Sequence, residues 1–120
     1  MITGTHAIIY ATDADQARAF FRDVLGMPHV DARGGWLIFQ LPPAELGIHP
    51  AAEPAAPGGR HELYLMCDDI GRTVEELTAK GAEFTAPVTE AGFGLLTSLR
   101  VPGAGQIGLY QPKHRTACDL

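Results

Sequence analysis

The chain opens on His6-Ala7-Ile8-Ile9-Tyr10-Ala11, a short β-branched and aromatic run that predicts a strand. Asp13 stands where a helix N-cap is expected. Ala17, Phe20, Phe21, Val24 and Leu25 then recur at i, i+3, i+4, i+7 and i+8, which places one apolar stripe on a helix. Gly26 occupies the position that ends such a helix, with Pro28 just beyond. Residues 30–32 predict a short strand and Gly34-Gly35 a turn. Residues 36–41 predict a stronger strand, stopped by Pro42-Pro43 because proline cannot donate to a sheet ladder. Glu45-Leu46-Gly47-Ile48-His49 makes a further short strand before Pro50.

Residues 50–59 carry no periodic apolar pattern and are rich in proline, alanine and glycine, so they read as a linker. The pattern then restarts. His61-Glu62-Leu63-Tyr64-Leu65-Met66-Cys67 predicts a strand. Asp68 or Asp69 caps a helix carrying Ile70, Val74 and Leu77, and Gly81 ends it. Residues 83–86, 95–101 and 106–110 predict three more strands. The polar stretch after residue 110 reads as a frayed tail.

The restart is a repeat. A shift of 55 positions lays Gly4 on Gly59, His6 on His61, Asp13 on Asp68 and Gly26 on Gly81. These are the turn before a strand, the strand's polar entry residue, the helix start and the helix stop. Later the shift becomes 61, and Leu46-Gly47-Ile48-His49 falls on Ile107-Gly108-Leu109-Tyr110. Each half therefore reads strand, helix, strand, strand, strand. Half a chain of this length buries too little apolar surface to stand alone, so the two modules share one core. The expectation is an α+β fold of paired βαβββ modules. Residues 1–112 form one domain, with modules at 4–50 and 59–112 and a tail at 113–120.

Composition narrows the function. The net charge is −5, and lysine and arginine are scattered rather than clustered. Nucleic acid and anionic membranes need focused positive charge, so neither is expected as a partner. No apolar run is long enough to span a bilayer, and residues 1–6 show no secretory signal. Two cysteines, Cys67 and Cys118, form no disulfide framework, which suits a cytoplasmic location.

Several segments resemble the vicinal oxygen chelate superfamily, which includes glyoxalase I, extradiol dioxygenases and bleomycin- and fosfomycin-resistance proteins. They are Gly4-Thr5-His6-Ala7-Ile8-Ile9-Tyr10, Ala19-Phe20-Phe21-Arg22-Asp23-Val24-Leu25-Gly26, His61-Glu62-Leu63-Tyr64-Leu65, and the closing run from Pro102 to Tyr110. The resemblance implies open sheets around a divalent metal (Fe, Mn, Ni or Zn). The ligands would be one residue at the start of each module and a carboxylate late in each. His6 and His61 fall on the two first-strand positions. Gly47 and Gly108 fall on the carboxylate positions, and neither offers a side-chain ligand. The resemblance also implies a homodimer.

Strand alternation puts residues i and i±2 on one face. If Gly47 and Gly108 face a cavity, Glu45, His49, Gln106 and Tyr110 face it too. The glycines would then add space beside the histidines. His6 and His61 with Glu45 could make a two-histidine, one-carboxylate metal site, with Glu45 or Gln106 relaying a proton. Tyr10, Trp36, His49, Phe93 and Tyr110 are candidate pocket residues. Each has a plainer role open to it: Trp36 in the core, Glu45 and His49 solvated on an edge strand, Phe93 packed on its own loop. His29 and His114 read as surface residues. Two functions follow. One is metal-assisted chemistry on a small molecule with neighbouring oxygens, as a lyase, isomerase or extradiol-type dioxygenase. The other is metal-free binding of an antibiotic or metabolite, as in resistance proteins.

Overall fold

The computed structural model describes residues 6–48 and 61–118. Helix α1 (Ala14–Ala19) starts where Asp13 Oδ1 accepts the amide of Gln16 at 2.9 Å, an N-cap that satisfies one orphan donor. The helix then widens into a π-helical turn over Phe20–Val24. Phe20 and Phe21 are adjacent yet both buried, with their rings edge to face at 5.9 Å. The wider turn accompanies the burial of both. The chain continues into a short antiparallel hairpin, β1 (His29–Asp31) with β2 (Leu37–Phe39).

The second half builds the main sheet. β3 (Tyr64–Met66) leads into α2 (Ile70–Ala79), capped by Asp69 through its side chain to the amide of Arg72. β4 (Thr89–Ala91), β5 (Gly94–Arg100) and β6 (Gln106–Pro112) follow, and the four strands lie in the order β3-β6-β5-β4. β3 runs parallel to β6, and the other pairs are antiparallel. Alternation sorts the faces. Leu99, Ile107 and Leu109 point to the helices and are buried with Phe20, Phe21 and Ile70 in one core. Leu96, Ser98, Gly108 and Tyr110, which face each other in register, take the opposite side. The mixed helix–sheet architecture expected from the sequence is present.

The expectation fails at three strands. Residues 6–11 enter no ladder among the described residues, and Ile8 and Tyr10 are 65% and 89% exposed. Residues 45–48 are likewise unpaired, with Leu46 and Ile48 more than four-fifths exposed. A β-favouring sequence supplies no partner of its own, and strand identity depends on that partner. The expected strand at 83–86 shrinks to a bridge between Phe84 and Leu99, because Pro87 interrupts the ladder before β4 resumes it. The linker 50–59, Gly4 and His49 lie outside the described residues.

Residues 113–118 are held by contacts to the rest of the domain. The Lys113 amide donates to the Phe93 carbonyl at 2.9 Å, and the Lys113 ammonium pairs with Glu90. The Ala117 amide donates to Glu45 Oε2 at 2.8 Å, and Cys118 Sγ lies 3.9 Å from the Pro43 carbonyl.

Candidate functional site

An open cavity of about 1260 Å³ lies between residues 41–47, β3, α2 and the segment 114–117. Its apolar wall includes Leu63, Leu65, Leu77 and Leu96, and its aromatic part is Tyr64, Phe93 and Tyr110. Such a lining suits a small organic ligand.

The aromatic part is built on two glycines. Tyr64 pairs with Gly108 across β3 and β6, and its ring takes the space a side chain at that glycine would need: a Cβ there would stand 2.1 Å from Tyr64 Cδ1. The ring of Tyr110 lies over Gly94 in the same way, where a Cβ would stand 2.3 Å from its Cε2. The absence of two side chains thus lets two phenol rings approach the sheet backbone closely. The space at Gly108 that sequence reasoning reserved for a ligand beside the histidines is filled by Tyr64.

Tyr110 is the hub. Its hydroxyl donates to the Phe93 carbonyl at 3.1 Å. Tyr64 and Phe93 stand edge-on to it, with centroids at 6.3 and 5.9 Å and planes at 74° and 66°. The His114 ring lies 5.8 Å away, tilted by 34°. Burial, with a smaller push from the negative charge of Glu45, raises the Tyr110 phenol above its usual range, so it stays neutral and able to donate.

Glu45 faces this cluster from the other side, and its side chain is only 18% exposed. Oε2 accepts the Ala117 amide, while Oε1 lies 3.7 Å from His114 Nε2, beyond hydrogen-bond reach. Cys67 also lines the cavity, and burial pushes its thiol up, away from the reactive thiolate.

The structure brings Glu45, Phe93 and Tyr110 to one cavity and leaves His6, Tyr10, Trp36, His61 and Gln106 outside its lining. His6 and His61 are both exposed, as is Gln106, which accepts a hydrogen bond from Thr85 Oγ1 at 2.9 Å. Tyr10 is exposed. Trp36 is 61% exposed with the Arg18 guanidinium 4.5 Å from its ring centroid, a cation–π pair rather than a pocket wall. His49 lies outside the described residues. Sequence reasoning missed Tyr64 and His114. Tyr64 becomes visible only through its parallel pairing with Gly108, which no local pattern supplies. No periodic signal marks His114.

A metal fits the described residues poorly. Two or three open ligand positions need at least three converging donors. Among the described residues no group of three or more His, Cys, Asp or Glu side chains converges in that way. Both oxygens of Glu45 face the chain's end rather than either first-strand histidine.

Comparison with known proteins bears on the fold. No curated protein sequence matches significantly. Among solved structures, TnmS3, an antibiotic binding protein from Streptomyces sp. CB03234, superposes with a TM-score of 0.66 at 21% identity, covering 93% of this chain and 98% of that one. Lactoylglutathione lyase from Agrobacterium tumefaciens gives 0.60 at 17% identity, covering 91% and 96%. A superfamily member from Sphaerobacter thermophilus DSM 20745 gives 0.61 at 23%, covering 92% and 98%. At these identities the likeness is one of fold. The family model for the Glyoxalase/Bleomycin resistance protein/Dioxygenase superfamily matches residues 5–106. The chain belongs to the glyoxalase/bleomycin resistance protein/dioxygenase superfamily.

Proposed function

We propose that this protein binds a small, largely apolar organic molecule in the cavity lined by Glu45 and sequesters it without chemistry. One observation carries the reading. The cavity of about 1260 Å³ presents an aromatic cluster and a shielded carboxylate but no converging set of metal donors among the described residues. The neutral Tyr110 hydroxyl and Glu45 supply polar contacts that orient a ligand, and the leucines supply buried area. The Streptomyces neighbour, an antibiotic binding protein, has a fold of the same kind.

The working unit in this reading is a homodimer in the cytoplasm. Ile8, Tyr10, Leu46 and Ile48 form exposed apolar runs that a second copy would cover. No helix among the described residues is long and apolar enough to cross a membrane.

The metal-assisted reading rests on His6 and His61, which the repeat makes equivalent, and one experiment separates the two. Thermal melts are run with a panel of planar, weakly polar compounds on wild type, on Ala44→Trp at the cavity wall, and on His6→Ala. Metal content is measured in protein purified without chelator. Ligand stabilisation lost in Ala44→Trp but kept in His6→Ala, with no stoichiometric metal, supports the binder. Stoichiometric metal that disappears in His6→Ala supports the enzyme and overturns the proposal.

A further inference from the structure

Resting on the ligand-binding reading above, we propose that residues 113–118 form a hinged strap at the cavity mouth, which swings away from Glu45 to admit the ligand and settles back to hold it. The strap leaves the end of β6 at Pro112 and runs along the rim, where His114, Arg115 and Ala117 line the cavity. Across the mouth the lining is Pro42, Pro43, Ala44 and Glu45, in a stretch outside any helix or strand. The strap joins these two rims. The Ala117 amide donates to Glu45 Oε2 at 2.8 Å, and Cys118 Sγ lies 3.9 Å from the Pro43 carbonyl.

The two ends of the strap are held differently. At the root, the Lys113 amide donates to the Phe93 carbonyl at 2.9 Å, beside the Gly94–Pro112 pair that closes the β5–β6 ladder, and the Lys113 ammonium pairs with Glu90. That end is continuous with the sheet. Beyond it no residue up to 118 is buried: His114, Arg115 and Ala117 are exposed, and Thr116 and Cys118 are half-buried. The His114 ring leans on Tyr110 at 5.8 Å, while its Nδ1 meets the Arg115 carbonyl, within the strap itself, at 2.7 Å. A segment with little buried apolar area and exposed backbone opens locally at far lower cost than a sheet does.

Glu45 has the strength of a latch. A hydrogen bond to a charged acceptor contributes more than a neutral one, yet far less than the stability of a whole domain, so the strap can be released without unfolding. The carboxylate is turned toward the strap by both oxygens, Oε2 on the Ala117 amide and Oε1 facing His114 Nε2 at 3.7 Å. Closed, the strap sets residues 114, 115 and 117 against the cavity. Released, it uncovers that side while the β5–β6 ladder and the Tyr110–Phe93 hydrogen bond stay as they are. Entry and floor are thus separate parts of the site.

The test locks and unlocks the strap in the full chain. Pro43→Cys sets a second thiol beside Cys118 at an exposed position; the disulfide is formed with diamide, and peptide mapping identifies the pair. Ala117→Pro does the opposite, removing the amide that Glu45 accepts. Nile red, a neutral planar dye, is the probe, followed by stopped-flow fluorescence. Its association and dissociation rates are both expected to fall about tenfold in oxidised Pro43→Cys, to recover on reduction, and to rise about tenfold in Ala117→Pro. Without dye, the Ala117 amide of the wild type is expected to exchange its hydrogen about tenfold faster than the Lys113 amide or more. Dye rates unchanged in both variants, or equal exchange at the two amides, overturn the strap, and dye binding in that case leaves the sequestration reading standing. If neither Nile red nor any compound of the planar panel binds, that reading falls and the strap's role falls with it.

Discussion

Replacing Gly108 by alanine tests whether the floor of the cavity is built as described. The strand backbone at Gly108 is not in the left-handed region, so alanine fits it without backbone strain. On conformational grounds alone the change stabilises a strand, by about 0.5–1 kcal/mol. The ring above reverses the sign. The new methyl would stand 2.1 Å from Cδ1, 2.3 Å from Cε1 and 2.8 Å from Cγ of Tyr64, well inside carbon–carbon contact of about 3.5 Å. Cγ is near the root of the side chain, so a small tilt does not clear the clash. Tyr64 has to change rotamer and leave the sheet.

Tyr64 is 43% exposed at present. Lifting the ring uncovers about 60–80 Å² of apolar underside, at a cost of about 1.5–2 kcal/mol. The edge-on contact with Tyr110 at 6.3 Å goes with it, a further cost of about 0.5–1 kcal/mol. Net of the backbone gain, Gly108→Ala is expected to destabilise by about 1–2.5 kcal/mol. For a domain of this length that lowers Tm by about 4–10 °C. Urea and thermal unfolding read the value. The decisive control is the same change in a Tyr64→Ala background, where the crowding ring is gone and the substitution is expected to be neutral or slightly stabilising. An equal penalty in both backgrounds refutes the reasoning, because the cost would then come from something other than the ring.

Three further outcomes are expected. Lys113 holds the Glu90 carboxyl below its usual range through a charge-assisted hydrogen bond; the pair therefore contributes stability above the ordinary glutamate pKa of about 4.3 and loses it as pH falls through the lowered value, and Lys113→Met should return the Glu90 titration, followed by carboxyl NMR, to the ordinary range. Burial raises the Cys67 thiol, so iodoacetamide should modify it about tenfold more slowly than a free cysteine at pH 8, and a rate equal to free cysteine would contradict its placement in the cavity wall. Ile48 is 88% exposed in an apolar run; Ile48→Lys should convert the proposed dimer to monomer by light scattering while leaving the monomer's helical signal unchanged, and a monomeric wild type would remove the dimer altogether.

What the sequence made legible was the local part of the fold. Asp13 and Asp69 cap helices because a side-chain oxygen two or three residues before the first free amides finds them without help from the rest of the chain. β5 and β6 pair through a short connection, so their alternation translates into faces directly. Residues 6–11 carry an equally strong strand pattern and pair with nothing among the described residues, since a ladder needs an edge that no local rule provides. The contrast between the two cases is one of partner, not of propensity.

The same distinction explains what happened at the candidate site. A shift of 61 placed Gly108 opposite Gly47 and marked it as a position where a side chain was missing. Pattern could not say what filled the gap, because the filler, Tyr64, reaches it through a parallel pairing between residues 44 positions apart. Once that register is known the rest follows. A glycine under a tyrosine on β6's parallel neighbour and a second glycine under Tyr110 fix two rings. Their hydrogen-bonded neighbour Phe93 adds a third, and Glu45 lines the same cavity. Gly108 and Gly94 thus make room on one sheet face for two aromatic rings, and in the binding mode proposed above the cavity would meet its ligand through those rings and the shielded Glu45 carboxylate.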